Sequence, residues 1–180
     1  TDRIRYASPY PKFTLGITNS VRYKNFDMSV VVTASQGATI FAGYKFFTTN
    51  LDGSWNVEKE VKNRFRYTNP TETADALYQT TNGNTNFARD SWYPTTYFYS
   101  GDYVNFKNIT LGYSVKIKAT SLRVYLSGQN VFLLTQYPGG NPEVSQPAGG
   151  ANANNPRTPN VDSAGSPLPA TYTLGANFKF

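Results

Sequence analysis

The sequence contains no cysteine and no histidine. These two absences exclude disulfide frameworks, metal sites built from thiolate or imidazole, cysteine nucleophiles and every mechanism that needs an imidazole base. Charged residues are also scarce at 16%, whereas soluble domains carry about 25%. The chain has no run of about 18 or more apolar residues, so the sequence predicts no transmembrane helix. Its class must therefore be inferred from the residues that are abundant.

The abundant residues are aromatic and small polar ones. Aromatic residues make up 16% of the chain, with 14 Tyr and 12 Phe. Many Tyr, Phe, Thr, Asn and Gly with few charges are typical of an outer-membrane β-barrel, which carries aromatic girdles at both interfaces. The net charge is +6, but Lys and Arg are scattered singly. A nucleic-acid partner is therefore not expected.

Period-two alternation of apolar with small or polar residues predicts five β-strands. These strands span about 12–23, 26–37, 103–117, 121–134 and 171–180. Val104 and Phe106 are out of phase with Ile109 and the apolar residues after it. This break predicts a bulge or a membrane boundary near Lys107 and Asn108.

The connections between these strands alternate in length. Two are short turns, and two are long loops over about 41–102 and 135–170. Outer-membrane barrels show this asymmetry, with short periplasmic turns and long extracellular loops. Five strands cannot close a barrel, because single-chain barrels start at about eight strands. The predicted fold is therefore all-β, with five antiparallel up-and-down strands forming part of a larger transmembrane barrel. The alternative is a soluble β-sandwich.

The two faces of the predicted sheet distinguish these alternatives. A barrel exposes the apolar face to lipid, whereas a sandwich buries it against a second sheet. The apolar face includes Leu15, Ile17, Val30, Leu111, Val124, Leu126 and Leu174. The polar face, which lines a barrel interior, includes Thr14, Thr18, Ser20, Thr33, Ser127, Gln129 and Asn177. Gly16 and Gly175 are expected to give room on this polar wall.

The final predicted strand has unlike faces and ends on an aromatic residue. Its ten residues match the ~9–11 that a strand needs to cross a bilayer at a tilt. With the short turns in the periplasm, the strand also ends there. Tyr172, Phe178 and Phe180 are then predicted to form the terminal signal that the barrel-assembly machinery recognises. No apolar leader follows Thr1, so either a signal peptide was removed or the chain is not the start of the translated protein.

Four blocks of the sequence resemble SusC/RagA-type TonB-dependent transporters. They are Pro11–Val30, Gly101–Tyr113, Leu122–Phe132 and Tyr172–Phe180, and they occur in the family's order. The resemblance implies an outer-membrane barrel of about 22 strands from Bacteroidota, of which this chain supplies the last five. It also implies partners: the remaining barrel and plug of the same transporter, TonB acting through the plug, a SusD-like surface lipoprotein as lid, and surrounding lipid and lipopolysaccharide.

Aromatic residues of the first long loop are the candidate contacts for a ligand or for the lid. Rings on extracellular loops stack on sugars or pack against another protein; alternatively, they hold the loop together and form the outer girdle. The candidates are Trp55, Trp92, Tyr93, Tyr97 and Tyr99. Within this loop the resemblance thins to Asn69-Pro70 and Ser91-Trp92.

No catalytic constellation is present, so the chain is not expected to be an enzyme or to bind a cofactor or metal. Carboxylates in or beside the first long loop are interpreted as solvated charges, because nothing fixes the separation that a glycosidase pair requires. They are Asp52, Glu58, Glu60, Asp90 and Asp102. The predicted function is part of an outer-membrane transporter that imports glycans or peptides with a SusD-like lipoprotein. The alternative is a soluble or surface-attached carbohydrate-binding β-sandwich.

Overall fold

The computed structural model describes residues 6–49, 56–63, 95–118, 120–144 and 160–179. The strands, in chain order, are β1 (Phe13–Tyr23), β2 (Phe26–Gln36), β3 (Thr39–Ala42), β4 (Phe98–Ser100), β5 (Tyr103–Ile117), β6 (Thr120–Thr135), β7 (Val161–Asp162) and β8 (Thr171–Lys179). A short helix, α1, spans Lys45–Thr48, and 3-10 turns span Lys59–Asn63 and Thr95–Tyr97. The described part of the chain has no helix with the length and hydropathy of a transmembrane span.

The chain divides into two compact units. The sheet unit comprises Ser8–Ala38, Ser100–Glu143 and Ser166–Phe180. The loop unit comprises Thr1–Ala7, Thr39–Tyr99 and Val144–Gly165. The sequence predicted long loops over most of the second unit and did not predict that they carry strands of their own.

The sheet unit is built on five antiparallel strands in the order β1-β2-β5-β6-β8. Each of the five pairs with the next one along the chain, as in an up-and-down meander. Two-residue turns join β1 to β2 and β5 to β6, and the long connections follow β2 and β6. The predicted all-β fold with five antiparallel up-and-down strands is confirmed.

A bulge interrupts β5 where the sequence predicted a phase break. Val31 pairs with Asn108, but the next residue, Val32, pairs with Phe106, so Lys107 is the extra residue. The bulge turns Val104 and Phe106 onto the same face as the apolar residues after Asn108. There Phe106 meets Phe132 edge-on, with ring centroids 6.1 Å apart. The predicted bulge is therefore confirmed.

The apolar face of the five-stranded sheet is exposed. Exposure of its predicted members ranges from 41% at Leu15 to 76% at Leu174, and only Val30 is half-buried. A sandwich would bury these side chains to gain hydrophobic free energy. A continuous exposed apolar surface instead marks contact with lipid or with another protein. The sandwich alternative is therefore wrong for this face.

The loop unit is organised around a small sheet in the order β4-β3-β7, in which β3 and β7 run parallel. Its buried apolar residues are Ile40, Ala42, Val61 and Tyr97. Backbone hydrogen bonds tie its segments together: Phe41 N donates to Asn160 O, and Tyr44 N donates to Asp162 O. The unit thus joins residues from both long loops.

Candidate functional site

Hydroxyl and amide side chains of neighbouring strands form hydrogen bonds across the polar face of the sheet. Thr110 Oγ1 lies 3.0 Å from Ser127 Oγ and donates to Asn108 Oδ1 at 2.9 Å. Ser20 Oγ donates to Ser29 Oγ at 3.3 Å between β1 and β2. These contacts place hydrogen-bonding groups at two separate positions on the polar face of the sheet.

An ion pair spans three strands of this polar face. Arg123 of β6 reaches across β5 to Asp27 of β2, donating from Nε to Oδ1 at 2.9 Å and from Nη2 to Oδ2 at 2.5 Å. The guanidinium also lies 5.1 Å from the Tyr125 ring centroid. Bidentate pairing fixes both partners in one geometry. The sequence alone does not reveal this pair, because 96 residues separate its members.

A glycine makes the crossing of this ion pair possible. Gly112 lies between the two partners on β5, opposite Asp27 on one side and Tyr125 on the other. A Cβ at this position would lie 2.5 Å from Asp27 Oδ1 and 2.6 Å from Arg123 Nη2. Only glycine therefore lets the pair lie directly over the backbone of β5.

The predicted role of glycine in giving room on the polar wall is confirmed at Gly175 and stays a prediction at Gly16. Gly175 on β8 is the direct partner of Tyr125, whose ring occupies the space of a Cβ. The aromatic ring of one strand thus covers a glycine of the neighbouring edge strand, an arrangement known as aromatic rescue. At Gly16, by contrast, a Cβ would meet nothing within 4 Å.

A buried lysine organises the loop unit. Lys45 is 2% exposed, and its Nζ donates to Glu58 Oε2 at 2.7 Å and to Glu60 Oε1 at 2.6 Å. Thr48 Oγ1 also donates to Glu58, at 2.6 Å. The interpretation of Glu58 and Glu60 as solvated loop charges holds in part: their side chains are 31% and 43% exposed, but both also pair with Lys45. Among the residues that the structure describes, no group of acidic side chains is arranged to hold a metal ion.

The pKa values in this cluster follow from burial and pairing. Burial alone would lower the pKa of Lys45, but its hydrogen bonds to Glu58 and Glu60 outweigh burial and raise that pKa. Burial alone would raise the pKa of Glu58, but the hydrogen bonds from Lys45 and Thr48 lower it below its ordinary value. Burial raises the pKa of Tyr44 to about 12. The lysine and Glu58 are therefore ionised at neutral pH, while Tyr44 is neutral.

These shifts predict an acid-sensitive loop unit. Because the pKa of Glu58 is lower in the folded than in the unfolded chain, its contribution is present above about pH 4.5 and lost as the pH falls through the folded value. We expect the protection factors of loop-unit amides, each corrected for the intrinsic exchange rate at that pH, to fall below that pH. Glu58→Gln should exchange faster at neutral pH and show a weaker acid response. An unchanged acid response in Glu58→Gln would contradict this assignment.

The structure encloses one of the predicted aromatic contacts and leaves another accessible. Tyr97 is 2% exposed, its hydroxyl lies 2.9 Å from Thr49 Oγ1, and its ring packs near Phe41. An enclosed ring offers no face to a sugar, so Tyr97 fits the alternative that such rings hold the loop together. Tyr99 is half-buried, with Lys45 Nζ 5.7 Å from its ring centroid, and its ligand role stays a prediction. Trp55, Trp92 and Tyr93 lie outside the described residues.

Two of the three residues predicted to signal barrel assembly can be placed. Tyr172 and Phe178 are 66% and 62% exposed, on one face of β8. Phe180 lies outside the described residues. The assembly role of these aromatics stays a prediction.

Two relatives with similar sequences are TonB-dependent receptors. The chain is 34% identical over 188 residues to TonB-dependent receptor P3 of Formosa agariphila. It is 26% identical over 187 residues to TonB-dependent receptor SusC of Bacteroides thetaiotaomicron. Each alignment covers 99% of this chain but only 17% and 16% of the relative. No family model matches the sequence.

Solved structures give the same result for the fold. The RagAB peptide transporter matches with a TM-score of 0.70 and 20% identity, over 94% of this chain and 17% of its own. The open-open state of the RagAB peptide importer matches with a TM-score of 0.69, over 97% of this chain and 18% of its own. In sequence and in fold the chain thus matches TonB-dependent receptors of the SusC type, and it spans about a sixth of the length of these relatives.

Proposed function

We propose that the chain is part of the wall of an outer-membrane transporter that imports glycans or peptides with a SusD-like lipoprotein. Its relatives are TonB-dependent receptors, of which it spans about a sixth. The remaining strands of a barrel of about 22, the plug and the contact with TonB would belong to the rest of the same protein. In this role the chain forms part of the barrel structure and carries out no catalysis.

The observation that carries this proposal is the exposed apolar face of an open sheet. In the described residues, β1 and β8 each pair along one edge only. A strand edge in lipid must be paired, because no water is present to satisfy its backbone groups. Further strands flanking β1 and β8 would complete the pairing, and lipid would cover the apolar face. Both requirements are met in a large barrel.

Residues at the ends of the sheet support an orientation of the barrel in the outer membrane. Aromatic side chains gather beside the two short turns, where the rings of Phe26 and Tyr113 pack at a tilt with centroids 4.7 Å apart and Tyr23 is exposed. Such a cluster is typical of an interfacial girdle. With the short turns in the periplasm, the long loops are extracellular, where Tyr99 and the undescribed Trp55, Trp92 and Tyr93 would meet substrate or the lipoprotein. Lipopolysaccharide would then contact the outer part of the apolar face.

The polar face supports a passage for hydrophilic solutes. Its hydroxyl and amide groups and the Asp27–Arg123 pair present hydrogen-bond donors and acceptors, and the charges of the pair compensate each other. Glycans and peptides both carry hydrogen-bonding groups that match such a wall. The related RagAB structures are described as peptide importers, which supports a peptide as readily as a glycan for this chain.

Neighbouring positions on β6 provide the test. The chain has no cysteine, so Leu126→Cys on the apolar face and Ser127→Cys on the polar face each introduce one thiol here. In the thiol-free receptor, reconstituted in liposomes and labelled with bimane, brominated lipid should quench position 126 and leave position 127 bright. Aqueous iodide should do the reverse. Equal quenching of both positions by lipid, or none at 126, would refute a barrel wall.

A further inference from the structure

The segment after β6, residues 136–143, folds back over the polar face of the sheet, and we call it the strap. Glu143 Oε2 accepts hydrogen bonds from Lys107 Nζ and, at 3.5 Å, from Asn105 Nδ2. Asn105 is on the polar face, because it pairs with Thr33 while the residues beside it pair with apolar ones. The strap therefore lies on the same side of the sheet as the polar wall.

The strap has a defined conformation at both ends. At its start, Thr135 Oγ1 donates to Asp102 O at 2.8 Å and accepts from Tyr137 N at 3.1 Å. At its end, Glu143 N donates to Asn141 Oδ1 at 3.0 Å. Pro142 is buried. One ion pair, Lys107–Glu143, fastens the far end of the strap to β5.

The state in which the strap lies on the sheet buries polar atoms that make no hydrogen bond, and this costs free energy. Two oxygen atoms on directly paired residues, Thr33 Oγ1 and Asn105 Oδ1, are buried without a hydrogen-bond partner among the described residues. Asn105 is only 2% exposed. A buried acceptor that makes no hydrogen bond destabilises the state that buries it. The ion pair therefore holds the strap down while the two oxygens favour its release.

We propose that the strap is a lid over a subsite formed by Thr33 and Asn105. Lifting the strap breaks the Lys107–Glu143 pair and uncovers both oxygens, which then accept hydrogen bonds from hydroxyl or amide groups of a solute. A glycan or a peptide carries such donors. The position of this lid in a transport path rests on the proposed function, whereas its opening does not.

Labelling of a thiol placed at a buried position of the strap itself tests the lid. In the receptor without other thiols, Pro142→Cys should react with a water-soluble maleimide at a rate set by the open fraction. Adding Lys107→Met should raise that rate, because it removes the ion pair and leaves Glu143 with hydrogen bonds from neutral groups alone. Adding Thr33→Val should lower it, because a methyl group replaces the unpartnered hydroxyl at equal volume. Each change should be about fivefold or more.

Thr18→Val is the matched control, since Thr18 lies on the polar face of β1 and is exposed. It should leave the labelling rate unchanged. Equal rates in Thr33→Val and Thr18→Val, or no effect of Lys107→Met, would overturn the lid. Maltohexaose or tetraglycine should raise the rate in the parent more than in Thr33→Val, and no effect of either overturns the subsite. Labelling does not require transport. Its result therefore decides whether the lid opens, whereas lipid quenching at position 126 decides whether the sheet is a barrel wall.

Discussion

Lys45→Met is expected to destabilise the loop unit by about 3 kcal/mol, because it removes one partner of a buried ion cluster. Lys45 is 2% exposed, and both carboxylates lie within 2.7 Å of its Nζ. Methionine preserves the aliphatic stem but removes the positive charge that both carboxylates contact. The side chains of these glutamates are 31% and 43% exposed. Water therefore moderates the loss and keeps it near the lower end of the range for buried pairs.

Amide hydrogen exchange in the receptor measures this loss locally. The Thr49 amide, which donates to Lys45 O, should lose protection, while amides of β5 and β6 serve as internal controls. Lys62→Met is the matched variant, since Lys62 is an exposed lysine of the same unit. Its effect should stay within about 0.5 kcal/mol. Equal exchange in the two variants would show that the Lys45 cluster does not stabilise the unit.

This cluster also shows where prediction from the sequence ends. Period-two alternation is a local pattern, and it predicted the five long strands and the bulge at Lys107 because each depends on adjacent residues. The strands β3 and β7 have four and two residues, too few to show a period. Glu58 and Glu60 follow Lys45 by 13 and 15 residues without any repeating pattern. Their pairing depends on how the loop folds, so the sequence showed only charges in a loop.

The glycines illustrate the same limit on the sheet. Alternation places Gly16, Gly112 and Gly175 in strands, but it does not show which side chain crosses above each one. That depends on strand register, which brings Tyr125 opposite Gly175 and leaves Gly16 open. Gly16 and Gly175 looked equivalent in the sequence, and the sequence predicted no role for Gly112. Strand pairing leaves as little space at Gly112 as at Gly175, because an ion pair passes over Gly112.

Gly112→Val is therefore expected to destabilise the sheet by about 2 kcal/mol. The new side chain would overlap Asp27 and Arg123, whose nearest atoms lie 2.5 and 2.6 Å from the first added carbon. Those atoms are the ends of flexible side chains, so the pair separates and the backbone of β5 stays in place. The cost is then overpacking together with loss of a half-exposed bidentate pair. Gly16→Val, in open space, should be neutral or slightly stabilising, because valine favours strands.

A double-mutant comparison in the receptor isolates the reason for the loss at Gly112. If valine acts by separating the pair, Asp27→Ala should cost free energy of unfolding in the parent and almost none in Gly112→Val. Denaturant unfolding of the four proteins gives the coupling, with Gly16→Val as the control for adding valine to a strand. Additive losses from Asp27→Ala and Gly112→Val would show that valine disturbs β5 itself. A coupled loss would show that Gly112 is required because Arg123 must reach across β5 to Asp27.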